Sequence, residues 1–140
     1  MEIAAGNTSC ITGNNRGFGL EMWGTVVNRD GVVCAVVFTG NHRGDQWPGS
    51  RVISAQKANT ANAFSLPNLA LSTANLYRLV QPGQSVGALG VSGDTSCADH
   101  NIAWKAHQEL GLNSTPSSDN IAYGPAAHSF CLGGETPPLP

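Results

Sequence analysis

The sequence predicts an α+β domain, a small antiparallel sheet (a hairpin plus one or more further strands) packed with about three helices. Three observations carry this. Two β-branched, apolar runs, Trp23 to Asn28 and Val32 to Thr39, are split by Arg29-Asp30-Gly31. A stretch from Ser50 to Phe64 repeats small side chains at helical spacing. A short apolar run, Val86 to Val91, meets a glycine-containing loop that opens directly into a second amphipathic segment. At 140 residues the chain is long enough for one core and too short for two.

From the N-terminus, residues 1–20 are rich in Gly, Asn, Thr and Ser and read as an arm that needs a surface to pack against. The hairpin follows, Asp30-Gly31 supplying the positive φ angles of a tight turn. Gly40 to Gly49, with Asn41, His42, Asp45 and Pro48, is a loop. Ser50 then stands as the cap of a helix to Phe64, with Ala55, Ala58 and Ala61 forming its small-residue stripe. Its other positions include Gln56, Asn59, Thr60 and Asn62, polar uncharged residues of mediocre helix propensity, which suit a subunit interface or a pocket wall.

A second helix is expected from Leu69 to Val80, set off by Ser65-Leu-Pro-Asn68, with Leu69, Leu76, Leu79 and Val80 for burial. The strand Val86 to Val91 and a helix from Cys97 to Leu110 complete the regular structure. Ser96 is placed to cap that last helix, with Asp99 three residues on as in a capping box. Residues 21–112 thus form the domain and 113–140, ending Thr-Pro-Pro-Leu-Pro, an irregular tail. A two-layer sheet-and-helix domain of this kind exposes an unpaired strand edge, and a homo-oligomer is the economical way to cover it.

Composition narrows the partners. Charged residues are only 11%, against roughly 25% in an ordinary soluble protein, which also suits burial in an oligomer. A net charge of −2 with Lys and Arg scattered singly leaves no electrostatic footprint for nucleic acid or an anionic membrane. No apolar run is long enough to cross a bilayer, and no basic segment followed by an apolar core marks a signal peptide. Cys10, Cys34, Cys97 and Cys131 are either two disulfides in one of three connectivities or four buried free thiols.

The strand-to-helix junction at Ser92 to His100 is the expected ligand site. Amide N–H groups at a helix N-terminus attract carboxylates and phosphates without a basic side chain. Gly93, Asp94 and the Ser92, Thr95 and Ser96 hydroxyls complete the expected cradle, with Arg51 and Lys57 as countercharges. The competing reading is a plain connection whose glycines satisfy turn geometry. His100 lies one turn after Cys97, so either could face a metal, His42 and Met22 being weaker candidates. Cys97-Ala-Asp-His100 with His128-Ser-Phe-Cys131 has four ligands of the kind a structural zinc takes. Cys97 at a helix start, beside His100, also has the placement of an activated thiol, but no third catalytic group or nucleophile motif accompanies it.

Three blocks carry a family likeness. Met22 to Thr39, Gln46 to Phe64 with its lysine-alanine element, and Gly87 to His107 with Gly90-Val-Ser-Gly93 together resemble the GlcG/HbpS family of haem-binding proteins, to which haem degradation is also ascribed. Val80-Gln-Pro-Gly-Gln-Ser85 joins the second helix to the Gly-Val-Ser-Gly strand directly, where family members carry a longer stretch, so the resemblance implies a shortened sheet and a reduced pocket. It implies a haem or related tetrapyrrole at the loop and the Lys57 helix, a propionate on the cradle, and His100 as a candidate for the iron. Sequestration, redox sensing or haem degradation would be its role, and no residue dictates an oxygenase mechanism. Exported relatives place it in the periplasm or outside the cell, the cytoplasm being the other possibility. The alternatives are a binding module for a small anionic metabolite and a structural oligomer without a pocket.

Overall fold

The computed structural model describes residues 17–63, 75–77 and 85–111. They form an α+β domain with one sheet of four antiparallel strands. The elements are β1 (Trp23–Asn28), β2 (Val33–Phe38), α1 (Gly49–Ala63), β3 (Asn75–Tyr77), β4 (Ser85–Ser92) and α2 (Ser96–Glu109), and the strand order is β2-β1-β4-β3.

The hairpin forms as its turn residues require. Gly31 has φ 78°, its N–H donates to the Asn28 carbonyl at 3.0 Å, and Asn28 Oδ1 accepts from the Asp30 and Val32 amides at 2.9 and 3.0 Å. The asparagine side chain thus imitates backbone across the turn. β1 lies antiparallel to β2, Trp23 opposite Phe38, with a bulge near Val26 and Val27 that leaves Cys34 without an opposite residue. Its other neighbour is β4, Trp23 opposite Ser92 and Thr25 opposite Gly90.

Successive residues of β1 point to opposite faces, and both faces are covered. Thr25 and Val27 lie under α1, where Val27 and Ala88 pack with Ala58 and Ala61 and the Thr25 and Ser54 hydroxyls meet at 2.6 Å. Val26, Leu89, Val91 and Met22 form the second cluster, packed with Ile102 and Ala103 of α2. The arrangement has three layers, helix, sheet, helix, rather than the expected two. The stripe on α1 is also shifted: Ser50, Ser54, Ala58 and Ala61 are buried, whereas Ala55 is only half-buried. Small residues are needed because the helix nearly touches the sheet. A Cβ added at Gly90 would lie 2.0 Å from the Ser54 carbonyl oxygen.

Two expectations are corrected. The helix expected from Leu69 to Val80 does not run through Asn75–Tyr77, which is strand β3 and pairs with the edge of β4, Asn75 opposite Ala88 and Tyr77 opposite Ser85. An open edge of β4 offers a row of backbone partners, and these outweigh the weak helical preference of an Asn-Leu-Tyr segment. Ser50 is not a cap but sits buried in the first turn of α1, which begins at Gly49. The polar residues of α1 divide: Gln56 and Thr60 are exposed, while Asn62 is buried and fixes the hairpin turn. It donates to the Arg29 carbonyl at 3.0 Å and accepts from the Arg29 guanidinium at 2.8 Å.

Most of the arm and all of the tail lie outside the described residues. The four arm residues that are described, 17–20, are exposed.

Candidate functional site

The junction between β4 and α2 is built as the sequence suggests and then filled by its own side chains. Ser92 ends β4 and is buried. Gly93 is packed tightly, since a Cβ there would lie 2.3 Å from the Glu21 carbonyl oxygen. Its carbonyl shares the Gln46 amide with that of Glu21, both accepting from Nε2 at 2.6 Å. Gln46 therefore ties the loop before α1 to the loop before α2, a link nothing in its local sequence signals.

Thr95, not Ser96, caps α2. Its φ and ψ of −64° and 157° are extended, and its hydroxyl accepts from the Ala98 N–H at 3.1 Å. Ser96 is the first helical residue and is exposed. The cap is one residue earlier than expected because Asp99 turns back beyond it. Its Oδ1 accepts from the Asp94 N–H at 3.2 Å, and its Oδ2 lies 2.5 Å from Lys57 Nζ.

Asp94 is the centre of a second set of amides. Its carboxylate accepts from Phe18 at 2.8 Å, Leu20 at 3.1 Å and Thr95 at 2.6 Å. At the junction itself the Asp94 N–H donates to Asp99, the Thr95 N–H to Asp94 and the Ala98 N–H to the Thr95 hydroxyl. Two acids already occupy the positive end of the helix, and an incoming anion would meet their charge.

Burial pushes the Asp94 carboxyl up, but the amides of Phe18, Leu20, Thr95 and Gly19 outweigh this and hold it below its ordinary 3.8. Its ionised form is therefore favoured by the fold. The stabilisation it provides is fully present above 3.8 and is lost as pH falls through the lower, folded-state value. In an amide-resolved NMR titration the Phe18, Leu20 and Thr95 N–H signals are expected to move together below pH 3.8, before the sheet amides do. Independent midpoints for the three would show that Asp94 does not hold the arm.

Lys57 is committed in the same way. Besides Asp99 its ammonium donates to the Val91 carbonyl at 3.0 Å. Among the described residues β3 pairs as far as Ala88, and the Val91 carbonyl that Lys57 meets lies beyond that along β4. The residues brought together are Lys57, Asp94, Thr95 and Asp99. Arg51 lies in the first turn of α1, and His100 follows Asp99 in α2.

Arg51 stands in the first turn of α1 with its guanidinium carbon 5.7 Å from the centroid of the Trp23 ring. Trp23 in turn stacks on Phe38, centroids 4.2 Å apart and planes inclined by 17°. Arg51 is exposed and its guanidinium has no carboxylate partner among the described residues, nor does the first turn of α1 hold an acid. Trp47, just before the helix, is 64% exposed and folds over Gly49, and the buried Trp23 Nε1 has no hydrogen-bond partner. Sequence reasoning named Arg51 but missed the aromatic stack. The only signal for it was that an aromatic begins β1 and another ends β2, which antiparallel pairing sets opposite each other.

His100 is half-buried in α2, the layer across the sheet from Arg51. No group of three or more His, Cys, Asp or Glu side chains among the described residues could hold a metal ion. Cys34 is a free, exposed thiol, and no two described cysteines pair with each other. His128, Cys131 and Cys10 lie outside the described residues. No helix among the described residues is long and apolar enough to cross a membrane.

No family model, curated protein or solved structure matches the chain. The functional reading therefore rests on the residues themselves and on the resemblance noted above.

Proposed function

We propose that this is a non-catalytic binding protein for a planar, anionic aromatic ligand, a haem-type tetrapyrrole in the first instance, held at Arg51, Trp23, Phe38 and Trp47. The observation that carries the reading is the Arg51 guanidinium, which lies over an aromatic stack and has no acidic partner among the described residues. A guanidinium forks two N–H donors onto a carboxylate, and an aromatic face accepts a flat ring, so the pair recognises a propionate and a macrocycle at once. The exposed Trp47 ring, four residues before Arg51 in the chain and folded over Gly49, favours a ligand larger than a simple carboxylic acid.

This moves the expected seat. The Ser92-to-Ser96 loop positions α2 and the arm, and Lys57 holds Asp99; the ligand is bound by Arg51. Haem sequestration or sensing is the corresponding role, and an exported location follows from the resemblance only. The reading asks nothing of His100.

Hemin and metal-free protoporphyrin titrated into the full chain, followed by absorbance and tryptophan quenching, test it. Both are expected to saturate with similar affinity. Arg51→Ala is expected to weaken each about tenfold, the value of one charge-assisted contact, and Lys57→Met to weaken neither. Saturation by hemin alone, abolished in His100→Ala, would replace ring recognition with iron ligation. No saturable response from folded protein would end the reading, while binding of small carboxylates without porphyrin would assign the Arg51 site to a small metabolite.

A further inference from the structure

α1 packs on β4 and β1 and leaves the neighbouring face of β2 uncovered. Register decides which residues stand on that face, since residues directly opposite in adjacent strands point the same way. Thr25 and Val27 lie under α1, and Trp23 alternates onto their face. Val36 is opposite Thr25, Val33 opposite Val27 and Phe38 opposite Trp23. From Val33 to Phe38 these make an apolar shelf roughly 16 Å long. Val33 and Val36 remain 46% and 36% exposed on it.

The flank of α1 beside this shelf is the ridge Arg51, Ala55, Asn59, aligned along the helix by its spacing. Contacts fix both ends. The Arg51 guanidinium lies over Trp23, and Asn59 Oδ1 stands where a Cβ on Gly31 would come within 2.6 Å. Between them Ala55, half-buried, leaves a notch between helix and β2. Its charge is one-sided. At the Phe38 end stands Arg51, with Arg43 exposed in the loop after β2; the Glu21 carboxylate there meets the Thr39 hydroxyl, and Asp45 accepts from the Asn41 and His42 amides. At the hairpin end the Arg29 guanidinium is engaged by Asn62, and the exposed acid is Asp30. We propose that the ligand of the Arg51 site lies in this notch, carboxylates at Arg51 and apolar edge over Val36 and Val33, so that the site selects tetrapyrroles whose carboxylates share one edge. A ring with carboxylates on every edge would press some of them onto valines and toward Asp30, at a cost in desolvation and repulsion. The inference rests on the ligand reading above and adds which ring the site takes and how it lies.

Metal-free protoporphyrin, with carboxylates on one edge, and uroporphyrin, with carboxylates on every edge, titrated into the full chain and followed by tryptophan quenching, test it. The wild type is expected to bind protoporphyrin at least about tenfold more tightly than uroporphyrin. Ala55→Leu, which fills the notch with a good helix former, is expected to weaken protoporphyrin about tenfold in a protein that still melts cooperatively. Val36→Lys, at an exposed position, is expected to raise the affinity for uroporphyrin about tenfold by supplying a cation on the shelf. A wild type that takes up neither porphyrin would end the ligand reading and this inference with it. Equal affinity for the two, or protoporphyrin binding unmoved in folded Ala55→Leu, would end the inference alone and leave Arg51 as the seat. Should Ala55→Leu fail to fold, Val36→Lys decides, and an unchanged uroporphyrin affinity overturns the notch.

Discussion

Gly90→Ala is expected to lower the melting temperature by on the order of 10 °C, a loss of about 3 kcal/mol for a chain of this size. A single methyl does this because of what it meets. The added Cβ would lie 2.0 Å from the Ser54 carbonyl oxygen and 2.4 Å from the Ala58 nitrogen, both backbone atoms of α1, so no side-chain rotation relieves the contact. The whole helix must lift from β4. Lifting it separates Ala58 and Ala61 from Val27 and Ala88 and breaks the buried Thr25 to Ser54 hydrogen bond. Gly44→Ala is the control: a Cβ there meets nothing within 4 Å, and the change should be neutral or slightly stabilising. Equal melting of the two variants would mean that α1 does not sit on Gly90.

The same contact explains what the sequence does and does not disclose. The hairpin was legible because its information is local: Asp30-Gly31 sets the turn and alternation sets the strands. α1 was legible as a helix, but its buried line runs through Ser50 and Ser54 as well as alanines. Serine at those positions reads as a cap or a solvated residue until Thr25 and Gly90 are seen opposite it. β3 was illegible because three residues hold no period, and their conformation comes from the β4 edge they meet.

At the site, the start of α2 was legible to within one residue. What fills it was not. Asp94 and Asp99 look alike in the sequence, each an acid near a helix start, yet one binds the arm and the other a lysine on α1. Neither partner is near in sequence, so no spacing rule could have matched them. Amides near a helix start are strong donors, and here the chain's own carboxylates and the Thr95 hydroxyl meet those of Asp94, Thr95 and Ala98.

That reasoning makes the Lys57 to Asp99 pair the second large effect. Lys57→Met is expected to destabilise by about 2 kcal/mol, Asp99→Asn by about 1 kcal/mol, and the double variant by little more than Lys57→Met alone. The asymmetry follows from burial. The Asp99 side chain is 10% exposed and without Lys57 keeps only the Asp94 amide, whereas the Lys57 side chain is 42% exposed and without Asp99 can turn its ammonium to water. That exposure screens the pair and holds the loss to the low end of what breaking a buried ion pair costs. Chemical denaturation of the four proteins gives the coupling, expected near 1 kcal/mol. Additive losses would mean that each group acts alone, and Lys57 would then be free to meet a ligand carboxylate. A measured coupling excludes that use, because a ligand could recruit Lys57 only by stripping it from Asp99 and leaving that carboxylate buried against one amide. The ligand reading and the stability cycle thus turn on the same ammonium: coupling to Asp99 withdraws Lys57 from a ligand, and the reading then stands on Arg51.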